Sequence, residues 1–269
     1  MNYLKSFDGE KIAYQFLSNP PNYQDTIVLV HGFGGDPNFL IPFVEELIKL
    51  IPKKRIISYN LRGHGYSTMR FPKNAQSFEQ THTKDLQFLL RHLKIKNPIL
   101  VGHSLGGIAV QEYLVEKLEP HPKKTIFVCT TTHLSGLPQI KKVFFELLKK
   151  LPISTTHPKE KSVNFHRQFK NNLDIDLKRF AHDTRISGGL VRWLVMMGSL
   201  LGWQNHNLSS LDKKSCYYIY GSKDLIVPAF VQERRLKKLT KINKILINSN
   251  HISPITSTEE LAQIISKLV

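Results

Sequence analysis

Ser104 lies in Gly102-His103-Ser104-Leu105-Gly106, a G-x-S-x-G pattern between an apolar run, Pro98 to Val101, and a helical pattern that begins at Leu105. A serine hydroxyl is a weak nucleophile near neutral pH. It needs a base within hydrogen-bond reach, and that base needs an orienting group. A strand-to-helix turn lifts such a hydroxyl above the sheet, near the positive end of the following helix. Glycines two residues before and after give the sharp backbone room, and Gly107 lets helix approach strand. His103 adjoins the serine, but successive side chains diverge at such a turn, so it is expected to point away.

In this arrangement the chain order is serine, acid, histidine. Asp224 follows the strand-like run Cys216 to Tyr220 through Gly221-Ser222-Lys223. His251 follows the run Lys244 to Asn248 through Ser249-Asn250, ahead of the last helical pattern. Adjacent parallel strands would bring both to the edge that carries Ser104. Taken singly, a loop Asp reads equally well as a turn residue or helix cap, and a loop His as a surface residue. Their order and the strand before each favour the catalytic reading. Acyl transfer also requires donors for a developing oxyanion. Ile27 to His31 reads as a buried strand, and Gly32-Phe33-Gly34-Gly35 after it can aim the backbone N–H of Phe33 at the site. The N–H of Leu105 is the second expected donor. His31 reads as structural, holding the next loop. This chemistry requires no metal and no organic cofactor.

These segments resemble the α/β-hydrolase superfamily. The matching parts are His31 to Gly35, Leu61-Arg62-Gly63-His64-Gly65-Tyr66-Ser67, Gly102 to Gly107, Gly221 to Asp224, and His251. They span nearly the whole chain in the family's order. The resemblance implies a triad of Ser104, Asp224 and His251 with an oxyanion hole from Phe33 and Leu105. Two departures stand out. Family members often carry an acidic residue just before Arg-Gly-His-Gly, where this chain has Asn60 and Leu61. The histidine is often preceded by Gly, where this chain has Asn250, a residue that tolerates a left-handed backbone. Arg62 is expected in a structural turn, bonding nearby carbonyls, rather than on a substrate-facing loop.

The elements that position these residues follow a βα rhythm. An opening hairpin from Tyr3 to Leu17 turns at Asp8-Gly9. From Ile27, strands alternate with helical patterns at Phe39 to Leu50, Gln80 to Leu93 and Leu105 to Leu118. Such alternation predicts an α/β fold, a mostly parallel twisted sheet of about eight strands with helices on both faces. The rhythm breaks after the sixth strand, Thr125 to Thr130, and resumes at Cys216. The chain therefore divides into core residues 1–132, an inserted helical cap over 133–205, and core residues 206–269. The cap holds 12 Lys/Arg against 5 Asp/Glu. Its apolar stretch, with Trp193, Met196, Met197 and Trp203, either lines an acyl pocket or packs the cap onto the core.

At 269 residues the chain can bury a full core, with a formal net charge of +17 and two cysteines, Cys129 and Cys216. Both cysteines lie in apolar runs and read as buried thiols. With no disulfide framework and no apolar leader at Met1 to Gly9, a reducing, cytoplasmic setting is expected. No run reaches the roughly 20 apolar residues of a membrane span. The charge favours anionic partners, or reflects only an AT-rich coding sequence. No nucleic-acid-binding motif accompanies it, so no specific nucleic acid is expected.

The expected activity is hydrolysis of a small-molecule carboxylic ester with a short or medium acyl chain, through an acyl-enzyme. Three alternatives stay open. The first is an esterase acting on a methyl ester carried by an acidic acyl carrier protein, as in the biotin-synthesis enzymes with a similar layout. The second is a lipase docking at anionic lipid surfaces. The third is a ligand-binding protein that keeps the fold without catalysis.

Overall fold

The computed structural model describes residues 1–69, 78–133 and 203–269, the side chains of 78–80 excepted. Eight strands form one sheet: β1 (Asn2–Lys5), β2 (Lys11–Ser18), β3 (Thr26–Val30), β4 (Arg55–Tyr59), β5 (Ile99–His103), β6 (Lys124–Val128), β7 (Cys216–Gly221) and β8 (Asn243–Ile247). Their order is β1-β2-β4-β3-β5-β6-β7-β8. β1 pairs antiparallel with β2 and β2 antiparallel with β4; every later pair is parallel. The opening hairpin and the βα rhythm thus stand as the sequence indicates.

The five central described helices are α1 (Ile41–Leu50), α2 (Phe78–His92), α3 (Leu105–Val115), α4 (Ala229–Leu236) and α5 (Thr258–Leu268). They divide the apolar side chains into two layers. Phe43, Val44 and Leu47 of α1 and Leu261 and Ile265 of α5 pack on one face with Ile27, Leu29 and Ile126. Leu86, Leu89 and Leu90 of α2, Ile108 of α3 and Leu236 of α4 pack on the other with Val28, Val30 and Phe127. Every residue of β3 is buried, as a parallel strand covered on both faces requires. α3 is buried from Leu105 to Leu114. It packs against β5 and α2, and its buried Gln111 and Glu112 are hydrogen-bonded.

Most of the expected cap lies outside the described residues, and with it the expected pocket residues Trp193, Met196 and Met197. Its two margins are described. His133 forms an isolated antiparallel bridge with Gln204, and Asn205 N–H donates to the Thr132 carbonyl at 2.9 Å. Trp203 belongs to the core: it is buried, and its indole N–H donates to Glu112 Oε1 at 2.9 Å. Among the described residues no helix is long and apolar enough to cross a membrane. Both cysteines are buried and free.

Candidate active site

Ser104 occupies the one-residue joint between β5 and α3, with φ 50° and ψ −116°. That conformation is costly for a residue with a side chain and persists only where its surroundings over-determine it. Here they do. Ser104 N–H donates to the Val128 carbonyl at 3.0 Å, and its own carbonyl accepts from Gly107 N–H at 2.9 Å and from the Thr130 hydroxyl at 2.6 Å. Gly106 is required by close approach, since a Cβ there would collide with the backbone carbonyl of Val30.

Asp224 and His251 arrive from the exits of β7 and β8. The Asp224 carboxylate is buried, and both its oxygens are engaged. Oδ1 accepts from the N–H groups of Ile226 (2.9 Å) and Val227 (2.7 Å), which aims Oδ2 at His251 Nδ1, 2.9 Å away. His251 Nε2 lies 2.9 Å from Ser104 Oγ. The partners assign the tautomer: Nδ1–H donates to the carboxylate, and Nε2 is left to accept the serine proton. The three residues selected from the sequence therefore meet at one place, imidazole in the middle. Asn250 stands where family members often have Gly. Its backbone is not left-handed. Its side chain instead accepts from Ile252 N–H (3.0 Å) and the Thr256 hydroxyl (2.8 Å), forming a local turn across the histidine.

The loop expected to supply an oxyanion donor abuts the serine: a Cβ on Gly32 would sit 3.1 Å from Ser104 Cβ. Two buried histidines hold this loop. His31 Nδ1 bonds the Gly32 carbonyl at 2.7 Å while its Nε2 accepts from Leu61 N–H at 2.9 Å. His64 Nε2 accepts from Gly34 N–H at 3.1 Å. Leu105 opens α3, so its N–H lies in the first turn, where a helix offers no acceptor of its own. Burial holds His31 well below the usual histidine range, with neighbouring His64 adding to the effect. The imidazole accordingly stays neutral, as its accepting Nε2 requires.

The family profile for the alpha/beta hydrolase fold matches residues 25–258. The chain belongs to the alpha/beta hydrolase family. A proline iminopeptidase from Lactobacillus acidophilus is 24% identical over 285 residues, 97% of this chain and 95% of that protein. Protein phosphatase methylesterase 1 from Aspergillus oryzae is 29% identical over 133 residues, 45% of this chain and 31% of that protein. The match thus spans about a third of the methylesterase. Among solved structures, an enol-lactonase from Burkholderia xenovorans LB400 superposes with a TM-score of 0.72 at 18% identity, covering 99% of both chains. The esterase EaEST from Exiguobacterium antarcticum gives 0.71 at 18% identity, covering 99% of this chain and 98% of that one. At that identity the likeness to the solved structures establishes the fold alone.

Four residues of this alpha/beta hydrolase make contacts that the sequence does not show. His103 does turn away from the Ser104 hydroxyl, but it is not idle. Its Nε2 lies 2.8 Å from the main-chain carbonyl of His251, and its ring packs 5.2 Å from that of Phe39 and 5.4 Å from that of His251. Thr130 reaches the carbonyl of the serine itself. Arg62 is structural as expected, yet its partners are carboxylates and not carbonyls. It donates to both oxygens of Asp85, at 2.9 and 2.7 Å, and to Asp8. Burial opposes the charge on Arg62, but the hydrogen bonds to Asp85 and Asp8 outweigh it and hold the guanidinium above its ordinary value. Cys129, at φ 46°, lies behind the triad with its thiol 3.4 Å from Ser253 Oγ. Burial and the nearby Asp224 carboxylate push this thiol up to about 12, so it stays protonated and unreactive.

Proposed function

We propose that this alpha/beta hydrolase cleaves carboxylic esters by nucleophilic catalysis, with Ser104 as nucleophile, His251 as general base and acid, and Asp224 as its orienting carboxylate. The observation that carries the reading is the imidazole of His251 standing 2.9 Å from both Ser104 Oγ and Asp224 Oδ2. In the first step His251 Nε2 takes the hydroxyl proton as Oγ attacks the ester carbonyl. The N–H groups of Phe33 and Leu105 receive the charge that develops on the carbonyl oxygen. His251 then returns the proton to the leaving alcohol, giving an acyl-serine. Water, activated by the same nitrogen, releases the acid. Asp224 stabilises the transient imidazolium and holds its tautomer.

Turnover of p-nitrophenyl esters of increasing acyl length tests the reading. Ser104→Ala should lower kcat by roughly three orders of magnitude or more. A fluorophosphonate probe should label the parent protein and not that variant. Unchanged ester turnover in the variant would refute the assignment. The full-length match to a proline iminopeptidase favours one further arm, proline p-nitroanilide. Turnover of the anilide above that of the esters would move the same serine chemistry to an N-terminal peptide bond.

A further inference from the structure

We infer that the segment following the candidate catalytic acid is a docking surface for an anionic lipid bilayer. Leu225, Ile226 and Phe230 are 87%, 62% and 71% exposed, a cluster of large apolar side chains within six residues. Scattered single apolar residues are ordinary on a surface, whereas a contiguous group marks an interaction site. Along α4, Phe230, Arg234 and Lys237 follow one another at the spacing of one helix face. Lys223 precedes the apolar cluster, and Lys238 and Lys241 follow the helix. Within 223–241 the acidic residues are Asp224, which is buried at the site, and Glu233. An apolar tip with a basic collar matches the two attractions a charged membrane offers: a hydrocarbon boundary and a negative surface potential.

The charge around this tip favours an anionic surface. Lys223, Arg234, Lys237, Lys238 and Lys241 surround it against a single exposed carboxylate, Glu233. The N–H groups of Ile226 and Val227 are spent on Asp224 Oδ1, and Pro228 has none, so this part of the tip does not rely on water for its N–H groups. Leu225 is almost fully exposed, which leaves its side chain accessible for insertion. Because the tip begins at the residue after Asp224, docking would turn the rim of the candidate site toward the bilayer. The docking itself stands apart from the hydrolase reading; the substrate class it implies, an ester presented by an anionic membrane, rests on that reading.

Flotation of the full chain with vesicles tests the surface. Phosphatidylcholine vesicles containing about one third phosphatidylglycerol should carry the protein, and plain phosphatidylcholine should carry little. Raising salt from about 50 to about 500 mM should weaken the binding. Leu225→Ser with Phe230→Ser should cut partitioning roughly tenfold, as should Arg234→Gln with Lys237→Gln and Lys238→Gln. Ser104→Ala should float like the parent, so loss of catalysis and loss of docking are separable. Absent binding, or equal binding by the Leu225/Phe230 variant, would overturn the proposal. So would a melting temperature lowered by the serine substitutions, which would mean that the tip packs against its own chain. A dimer in light scattering that these substitutions dissolve would assign the patch to a second copy instead.

Discussion

His103 is the neighbour of the proposed nucleophile and also the residue that grips the backbone of the proposed base. Its ring joins the β5 turn to the β8 exit, two pieces of chain 148 positions apart. It lies against the loop after β3 as well, for a Cβ on Gly32 would lie 2.8 Å from its Nδ1. Replacing it with Phe keeps a flat ring but removes the donor. His103→Phe should lower kcat by about tenfold to a hundredfold with little change in KM, because what is lost is alignment rather than substrate contact. His103→Gln, which retains an N–H donor, should recover part of that loss; equal kcat in parent and His103→Phe would show that the tether is idle. The same residue marks the limit of reading chemistry from sequence. Ser104, Asp224 and His251 are legible because each follows an apolar run and the three fall in a fixed order. The target of His103 and that of Thr130 are tertiary, set by which strands lie side by side. Asn250 shows another limit: its residue type allows a left-handed backbone, whereas its side chain satisfies the turn by hydrogen bonding.

Among the elements, the turn after β4 is fixed by charge. Arg62 is clamped between Asp85 of α2 and Asp8 of the β1–β2 hairpin, with the Ser6 hydroxyl also donating to Asp85. Arg62 and Asp85 are 3% and 0% exposed. Removing one partner of such a buried pair leaves an uncompensated charge. Asp85→Asn should therefore cost about 3 kcal/mol in urea unfolding. An unchanged midpoint would mean that Asp8 alone satisfies the guanidinium. The strands themselves were legible because parallel strands covered on both faces are continuous apolar runs, as in β3 and β5. The acidic partners of Arg62 were not, because each sits on an element that contacts the turn only once the sheet is assembled.

At the scale of the molecule, buried histidines link stability to pH. His31 and His82 are both held well below the ordinary histidine value, first by burial and then by neighbouring positive or ionisable groups. Below about pH 6.5 the unfolded chain takes up protons at these two positions that the folded chain refuses. Stability should be level above about pH 7 and fall as pH drops, by up to roughly 1.4 kcal/mol per pH unit for each histidine. Denaturant midpoints measured from pH 8 to about pH 5 check this; a flat profile would contradict it. Fold class follows from the alternation of patterns along the chain, whereas the exchange of β3 and β4 in the sheet order does not. Residues 134–202 break that alternation, and there the sequence offers helical periodicity without a strand to anchor it. The pairing of His133 with Gln204 has a consequence for how this scaffold diversifies. Departure and return are adjacent on the framework, so the stretch spliced between them closes the same short gap whatever its length, and lengthening it adds only a slowly growing entropic cost. Selection can therefore rewrite that stretch wholesale while the hydroxyl, imidazole and carboxylate keep their mutual distances.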